Sequence, residues 1–351
     1  MTETSKNPFI SIIVPFYNDS LTIERCIASI LNQSFKDFEL VLVNDGSEDG
    51  SEKIVERFRK TDDRIRVFKQ KNQGVSVARN TGIEHVLGEY VAFCDADDYY
   101  GKNRLQNLCE EIGNNDILFT NYTNIDNKEN IIKMTNFPNR CFKLDNEKNC
   151  LDFIINEVLQ KGCSWTVWSC LFRRSIIMEN GIRFNKQCDN FGEDLGFVLE
   201  NLLYAKSVLI SKDNSYFYVS HSGSMSDKNN DVIRMDSMNE VSKSFYERCK
   251  RIGYKKYEKI LAIIHFLIMY GQYYKMIGKP AYPELKTEIE KIRDKRFYYQ
   301  MVKRLLRSYK EICEYTDKRT AKQILLFTNY CLHGNWERFK IESAIFYKLI
   351  K

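Results

Sequence analysis

Short apolar runs alternate with amphipathic segments over the first hundred residues of the chain. Residues 9–15 form a continuous run rich in Ile and Val, which is typical of a strand buried on both faces of a parallel sheet. Helix-capping residue types follow at 18–20, and apolar residues then recur at helical spacing up to Leu31. This pattern predicts a strand followed by a helix.

The same alternation continues as far as residue 94. Strands are predicted at 38–43, 65–68 and 90–94, with helices between them at 52–59 and 75–86. Such alternation implies right-handed βαβ crossovers. The predicted fold class is therefore α/β, with a doubly wound, mostly parallel sheet flanked by helices. Ligands of such sheets bind at the carboxyl ends of the strands.

The pattern changes beyond about residue 226. Long helical stretches with interleaved Tyr, Phe and Lys replace the strand and turn signals. With 351 residues, the chain is long enough for two domains. We therefore predict an α/β domain over residues 1–225 and a smaller, mainly α-helical C-terminal domain over residues 226–351.

Charge separates the same two parts of the chain. The net charge of +6 combines 26 Lys and Arg against 32 Asp and Glu in residues 1–225 with 27 against 15 in residues 226–351. A basic domain can bind an anionic membrane surface, and a soluble basic face is the alternative. Residues 291–310 hold eight basic residues and one acid. They predict either an interfacial helix or a bundle helix with a basic outer face.

Cysteine usage and hydropathy indicate a cytoplasmic protein. The 11 cysteines are an odd number, and none of them forms a C-x-x-C pair. Residues 1–8 lack the apolar core of a signal peptide, and the longest apolar run, 260–270, is too short to span a bilayer. We expect a cytoplasmic location, with any membrane attachment peripheral and at the inner face. No nucleic acid is expected among the partners.

Two carboxylates lie two residues apart just after the fourth predicted strand. Asp95 and Asp97 can both approach one divalent cation at the sheet edge. Mg²⁺ and Mn²⁺ favour a few hard oxygen ligands, completed by water and phosphate oxygens. On its own this pair is a weak signal, because acidic pairs are also common in solvated turns.

Three further motifs accompany the acidic turn. The four segments are SIIVPFYN at residues 11–18, VNDGSED at 43–49, NQGVSVARNTG at 72–82 and DADD at 95–98. In this order and at this spacing they resemble the family-two inverting glycosyltransferases, which have the GT-A fold. The resemblance covers residues 9–225. It implies a nucleotide-sugar donor and a Mn²⁺ or Mg²⁺ cofactor.

The resemblance implies a donor pocket built from the first three motifs. Pro15 and Tyr17 would frame the nucleobase, with the ring of Tyr17 stacked on it. Asp45 would accept a hydrogen bond from a base N–H, which suits uracil and hence a UDP-linked donor. Asn72 and Arg79 would lie near the nucleoside and the diphosphate. The alternatives are that Pro15 only ends a strand, that Tyr17 is a surface residue, that Asp45 forms an Asx turn and that Arg79 is a charge on a helix surface.

The resemblance also implies the metal site. Asp97 would bind the metal that neutralises the leaving diphosphate, and Asp95 would contact the ribose or the metal. Asp98 would support the turn. His221, where an alternating strand runs into a loop, would complete the metal shell, with a hydrogen-bonding role in the loop as the alternative.

Inverting transfer needs one general base to take the proton of the acceptor hydroxyl. Asp194 is the predicted base and Glu193 the predicted acceptor-side residue, since the pair resembles the family's Glu-Asp motif; favourable placement at a helix N-terminus is the alternative. Trp168 resembles the family's acceptor-side Trp, or is a core residue. The Asn and Lys that often follow this Trp are Ser169 and Cys170 here, which weakens the acceptor inference.

These residues together predict an inverting glycosyltransferase that acts on a hydroxyl of a glycan, lipid-linked or polymer acceptor in surface polysaccharide or glycoconjugate synthesis. A non-catalytic sugar-nucleotide-binding module is the alternative. A sugar-phosphate nucleotidyltransferase would need a Gly- and Lys/Arg-rich loop after the first strand, where this chain has Pro-Phe-Tyr-Asn. A dehydrogenase would need G-x-G-x-x-G after a strand.

Overall fold

The structure is a computed structural model that describes residues 7–188, 191–220, 231–276 and 296–333. The chain forms two compact units, which we describe separately. Among the described residues, the first unit contains 7–150, 161–188 and 193–220, and the second contains 151–160, 191–192, 231–276 and 296–333.

Strands form two sheets in the first unit. In chain order the strands are β1 (Ile10–Phe16), β2 (Phe38–Asn44), β3 (Ile65–Lys69), β4 (Tyr90–Phe93), β5 (Tyr99–Tyr100), β6 (Ile117–Phe119), β7 (Thr123–Ile125), β8 (Ile131–Met134), β9 (Arg140–Lys143), β10 (Cys170–Arg173), β11 (Ser207–Ile210) and β12 (Tyr216–Val219). The larger sheet has the order β3-β2-β1-β4-β10-β6-β11-β9, and the smaller has the order β5-β12-β7-β8.

The larger sheet is parallel from β3 through β4 and mixed beyond it. β1 pairs in parallel with both β2 and β4, so strand order reverses beside β1. β10 then pairs antiparallel with both β4 and β6. The doubly wound, mostly parallel α/β prediction is confirmed, and the four predicted strands each lie within one residue of the observed bounds.

Helices lie between these strands along the chain. They are α1 (Ile23–Leu31), α2 (Ser51–Arg59), α3 (Val75–His85), α4 (Arg104–Ile112), α5 (Glu147–Phe153), α6 (Arg174–Glu179) and α7 (Glu193–Leu202). α1 buries one apolar face, as its sequence spacing predicts. α3 packs on β1 at Gly82, where a Cβ atom would lie 2.5 Å from Cγ2 of Ile13. Only glycine permits this close approach of helix and strand.

The second unit is mainly helical. Its helices are α8 (Asp231–Arg251), a short 3₁₀ helix (Tyr254–Tyr257), α9 (Glu258–Met276), α10 (Arg296–Leu305), α11 (Tyr309–Tyr315) and α12 (Lys318–His333). A π-helical turn (Ile154–Leu159) contacts α9 and belongs to this unit. The predicted division at residue 226 had left this turn in the first domain. The difference arises because its buried Ile154, Ile155 and Val158 are partners for a helix that begins a hundred residues later.

The basic segment at 291–310 is a bundle helix where the structure describes it. Residues 296–305 form α10, whose Tyr298, Met301, Val302 and Leu305 are buried. An interfacial helix needs its apolar face free to enter the lipid. The prediction of an interfacial helix is therefore wrong for these residues. Within the described part of the chain, no helix combines the length and apolarity needed to cross a bilayer.

Candidate active site

The carboxyl ends of β1, β2 and β4 lie side by side because these strands are parallel neighbours. Pro15 is the second-last residue of β1 and pairs with Val43 of β2. Asp45 directly follows β2, and Asp95 follows β4 by two residues. The predicted donor residues are thus brought to one edge, where the strand order reverses and ligands of such sheets bind.

Tyr17 stands at this edge with its ring accessible. The residue is 47% exposed, directly beyond β1, whereas Pro15 is buried. The next residue, Asn18, has a φ of 57° and is tied to the loop after β2: its backbone N–H donates to Ser47 Oγ (3.1 Å), and its Oδ1 accepts from the Glu48 N–H (2.9 Å). The loop after β1 is therefore anchored to the loop after β2, and it carries the exposed Tyr17 at the same sheet edge as Asp45.

The Asp45 carboxylate organises the loop that leads into α3. Its Oδ1 accepts from the Gln70 side-chain amide (2.8 Å) and the Gln73 N–H (2.9 Å), and its Oδ2 accepts from the Gly74 N–H (2.9 Å). The Asx turn after β2 is formed instead by Asn44, whose Oδ1 accepts from the Ser47 N–H. Three of the roughly four acceptor sites of the Asp45 carboxylate are thus filled within the chain.

Asn72 lies on the same loop and is exposed. Its backbone nitrogen is 2.9 Å from the position that a Cβ atom would take on Gly46. The φ of Gly46 is 83°, in the left-handed region that favours glycine. This glycine allows the loop carrying Asn72 to close against the end of β2.

The acidic turn after β4 is anchored by Asp98. This buried carboxylate accepts from the Tyr216 hydroxyl (2.6 Å) and from the Val219 N–H (2.8 Å), while the Tyr216 oxygen accepts from the Asp95 N–H (3.2 Å). Burial raises the pKa of Asp98 well above its usual value. Asp98 therefore supports the turn, as the resemblance implies, and joins it to β12.

A second anchor of the turn comes from α1. Arg25 Nη2 donates to the Asp97 carbonyl oxygen (2.9 Å), and its guanidinium lies 4.7 Å from the centre of the Tyr99 ring. With the backbone held in this way from α1 and β12, the side chains of Asp95 and Asp97 remain partly exposed. The sequence pattern gave no signal for Arg25, because its target is a main-chain carbonyl.

Asp19 is an acidic residue of the site that the sequence reasoning used only as a helix cap. Burial, together with the negative charges of Asp97, Asp49 and Asp95, raises its pKa to about 6, against the lowering effect of a hydrogen bond from the Tyr17 N–H. Its place in the loop after β1, at the same sheet edge as the acidic turn, was the signal that could have identified it.

These carboxylates fit a hard divalent cation. Burial is the largest cause of the raised pKa of Asp19, and the negative charges of Asp97 and Asp95 add to it. Among the described residues, no group of three or more His, Cys, Asp or Glu side chains encloses a metal site. Proteins usually bind Mg²⁺ through one or two carboxylates, with phosphate and water completing the shell. His221, the third predicted ligand, lies outside the described residues.

Arg79 occupies the centre of the site rather than its edge. The guanidinium is buried and contacts three carboxylates: Nη2 donates to Asp95 Oδ1 (2.9 Å), and Nη1 contacts Asp194 Oδ1 (2.8 Å) and Glu193 Oε1 (3.3 Å). The helix-surface alternative for Arg79 is therefore excluded. We call Arg79, Asp95, Glu193 and Asp194 the carboxylate cluster.

The two acids at the start of α7, Glu193 and Asp194, both have raised pKa values. Burial, then the neighbouring Asp194 charge, raises the pKa of Glu193 to about 8, and Arg79 opposes this effect. Burial also raises the pKa of Asp194, again against Arg79. Asp194 Oδ2 accepts from the Val167 N–H at 3.1 Å, which fixes the orientation of the carboxyl group. A carboxyl group held in place with a raised pKa is suited to general-base chemistry.

Trp168 is packed into the core. Its ring stacks on Tyr216 and Tyr218, with ring centres 4.5 and 5.6 Å away, and meets Tyr122 edge-on. Only 7% of the residue is exposed. This arrangement favours the core alternative, because little of the ring is left for a sugar. The backbone next to Trp168 still contributes to the site, because the N–H of the preceding residue, Val167, donates to Asp194.

Comparisons with known proteins agree with this geometry. Residues 11–179 match the family model described as glycosyl transferase family 2. The chain is 34% identical over 223 residues to the uncharacterized glycosyltransferase EpsJ of Bacillus subtilis (strain 168), covering 63% of each chain. It is 29% identical over 279 residues to the cholesterol galactosyltransferase of Borreliella burgdorferi, covering 76% of this chain and 75% of that one.

The solved structure of S. aureus TarS 1–349 in complex with UDP-GlcNAc has a similar fold. The TM-score is 0.61 at 19% identity, over 95% of this chain and 89% of that one. The fold is thus the GT-A-like arrangement of a large sheet flanked by helices, followed by a helical region. Residues 11–179, whose four motifs form the sheet edge described above, match glycosyl transferase family 2, and the relatives found support a family-two glycosyltransferase.

Proposed function

We propose that this protein transfers a sugar from a nucleotide-diphosphate donor, UDP-linked, to a hydroxyl of a glycan, lipid-linked or polymer acceptor. The transfer inverts the anomeric carbon and serves surface polysaccharide or glycoconjugate synthesis. The observation that carries the proposal is the carboxylate cluster, in which one buried arginine joins the donor-side Asp95 to the two acids of α7. The UDP-GlcNAc bound by TarS supports a UDP-linked donor.

The donor end of the site is the sheet edge beside β1, β2 and β4. The exposed ring of Tyr17 would stack on the nucleobase, and the remaining acceptor site of Asp45 would take a base N–H. Asn72, exposed on the Asp45-bound loop, would lie beside the nucleoside. Asp97 and Asp95 would hold Mn²⁺ or Mg²⁺, whose charge offsets that of the leaving diphosphate.

The acceptor end of the site contains the general base. Asp194 would take the proton of the acceptor hydroxyl as that oxygen attacks the anomeric carbon in line with the leaving group. Hydrogen bonds from Arg79 and from the Val167 N–H orient the carboxyl group of Asp194. They leave acceptor positions of this carboxyl group open for the acceptor hydroxyl. Glu193 would orient the acceptor, and its raised pKa keeps it protonated near neutral pH, so that it can donate a hydrogen bond.

The base assignment is tested by two isosteric variants. We expect Asp194→Asn to lower kcat by roughly 10²- to 10⁴-fold, the usual contribution of a general base, and to leave UDP binding within about twofold. Glu193→Gln should change kcat and the KM for the acceptor far less, since the amide still donates. Glu200→Gln, on the same helix but without a contact to Arg79, is the control.

Donor hydrolysis and transfer with a panel of sugar nucleotides provide the kinetic readout, and calorimetry with UDP provides the binding readout. Full activity of Asp194→Asn, together with loss of activity in Glu193→Gln, would exchange the two roles. Tight UDP binding by the wild-type chain without turnover of any donor would favour a non-catalytic sugar-nucleotide-binding module instead.

The metal assignment is tested by chelation. With EDTA in excess, we expect turnover to fall at least about 100-fold and to return when Mn²⁺ or Mg²⁺ is added. UDP should bind more weakly without the metal, and Asp97→Ala should remove this difference while leaving metal-free UDP binding unchanged. Asp63→Asn, at an exposed acid outside the site, is the control. Undiminished transfer in excess chelator contradicts the assignment.

A further inference from the structure

A polar cleft with a volume of about 740 Å³ lies within the helical unit. Its walls come from α8, from the 3₁₀ helix Tyr254–Tyr257, from the start of α9 and from α10. None of the lining residues belongs to the candidate active site. The volume falls within the range of cavities that bind small molecules, about 300–1,000 Å³.

The cleft has more basic than acidic side chains. Each acidic residue is already ion-paired with a basic one: Glu240 with Lys243 at 3.2 Å, Glu247 with Lys250 at 3.6 Å and Glu258 with Arg304 at 3.3 Å. Lys255 and Arg296 line the same cleft, and neither has an acidic partner among the described residues. Two cationic groups are therefore available to an anionic ligand.

The wall of the cleft also contains an unfilled hydrogen-bond acceptor. Asn239 is only 2% exposed, and its Oδ1 has no hydrogen-bond donor within the described part of the chain. A buried amide oxygen left unpaired destabilises the fold, so a ligand hydroxyl that donates to it is favoured. The partly exposed ring of Phe297, backed by the buried ring of Tyr246 at 5.4 Å, provides an aromatic wall that can pack against a sugar ring.

We propose that this cleft is a second binding site, specific for a saccharide that carries a phosphate group. Lys255 and Arg296 bind the phosphate, Asn239 accepts from a sugar hydroxyl, and the aromatic wall contacts the ring. Arg304 shapes the wall without binding the anion, because its guanidinium is already held by the Tyr246 hydroxyl (2.7 Å) and by Glu258.

The combination of groups distinguishes this ligand from simpler ones. Inorganic phosphate would satisfy the two free cations but would leave Asn239 and the aromatic wall unused. A neutral sugar would leave the cations unused. A membrane surface meets exposed groups, whereas Asn239 is buried in the wall of the cleft. In the proposed sugar transfer, such a site would hold a phosphate-containing acceptor, but binding itself does not depend on that activity.

The test is calorimetry on the full chain with UDP and Mn²⁺ at saturation, so that the candidate donor site is filled. Glucose 6-phosphate, glucose and inorganic phosphate are the probes. We expect glucose 6-phosphate to bind most tightly. The double variant Lys255→Ala/Arg296→Ala should weaken it at least about tenfold, since it removes both charged groups that bind the phosphate. Lys303→Ala, at an exposed lysine of α10 outside the cleft, should bind like wild type.

A third variant tests the sugar contact. Asn239→Ala should reduce the advantage of glucose 6-phosphate over inorganic phosphate and leave phosphate binding unchanged; its melting temperature reports whether it folds. Equal affinity for phosphate and glucose 6-phosphate in the wild-type chain overturns the proposal, as does equal loss in Lys303→Ala. Binding to anionic phosphatidylglycerol vesicles that is lost in the double variant, without glucose 6-phosphate binding, assigns these cations to a membrane instead. Because turnover is not measured, failure here is distinct from failure of the proposed transfer.

Discussion

Arg79 is the residue on which the candidate site depends most. It contributes one positive charge to a buried cluster that contains the carboxyl groups of Asp95, Glu193 and Asp194. The two terminal nitrogens of its guanidinium, the two arms of the group, contact different parts of the chain. Nη2 donates to the turn after β4, and Nη1 donates to the start of α7. Arg79 thus joins the turn after β4 to the start of α7, and we propose that it positions the donor-side and acceptor-side carboxyl groups.

We expect Arg79→Lys to lower kcat at least about 100-fold, because one ammonium group cannot span both arms and a displacement of about 1 Å can have that effect. The melting temperature should also fall, since breaking a buried ion pair typically costs about 3–5 kcal/mol. Steady-state kinetics and thermal unfolding provide the measurements. Arg59→Lys, at an exposed i,i+3 pair with Glu56, should change neither quantity. Wild-type kinetics in Arg79→Lys contradict the positioning role.

The sequence could identify Arg79 as important but not what it touches. Its motif resembles one that lies near the diphosphate, whereas its partners in this structure are carboxyl groups, two of them more than a hundred residues away. Trp168 shows the same limit. Its aromatic type suits both a sugar and a core, and the choice depends on Tyr216 and Tyr218, which only the folded chain brings onto it.

At the level of elements, hydrogen bonds join the end of β2 to the loop before α3. Asp45 binds Gln70, Gln73 and Gly74 across a separation of 25 to 29 residues. These bonds hold the exposed loop that carries Asn72 against the sheet edge. A carboxylate at this position therefore shapes the loop at the edge of the candidate site even without a ligand.

Asp45→Asn should weaken UDP binding by at least about tenfold. The substituted amide has a single acceptor oxygen, so at least one of the backbone N–H groups of the loop would face a donor, at a cost of about 1–3 kcal/mol. Calorimetry with UDP and with ADP separates two contributions: equal weakening reports the loop, and loss of the preference for uracil reports direct base contact. Asp63→Asn is the matched control, and unchanged affinity for both nucleotides would falsify the proposed role of Asp45.

The elements whose bounds the sequence predicted well are those specified by the local spacing of hydrophobic residues. β1 to β4 are apolar runs separated by amphipathic helices, so their bounds follow from hydrophobic spacing. The strands beyond residue 114 are only three or four residues long, and β10 pairs antiparallel between β4 and β6. Their partners are distant in sequence, and no local pattern specifies such pairing. The smaller sheet, which ties Tyr216 and Val219 to the acidic turn, was missed for this reason.

At the level of the whole molecule, the two units differ in what stabilises them and in what they expose. The first unit is built on a buried sheet with its carboxyl groups gathered at one edge, and the second on helices with a basic surface. Sequence composition predicted the change of class near residue 226. It could not predict that residues 151–160 belong with the later helices, because an apolar helical turn does not indicate which unit will bury it.

The helical unit should be sensitive to acid through His265. This residue of α9 is 2% exposed, its Nδ1 lies 2.7 Å from Ser242 Oγ, and its Nε2 has no hydrogen-bond partner among the described residues. Burial lowers its pKa to about 3 from the usual value of 6.5. The folded unit therefore holds the neutral ring, and the unfolded chain binds the proton first.

Because the folded-state pKa is depressed, this contribution to stability is complete above pH 6.5 and is lost as the pH falls from 6.5 towards 3. By pH 5 the loss amounts to about 2 kcal/mol. We expect the melting temperature of the helical unit, followed by calorimetry, to fall between pH 7 and pH 5, and His265→Gln to flatten this dependence. His85→Gln, in the first unit, should retain the wild-type slope. An equal slope in His265→Gln would show that other groups set the acid sensitivity of these helices.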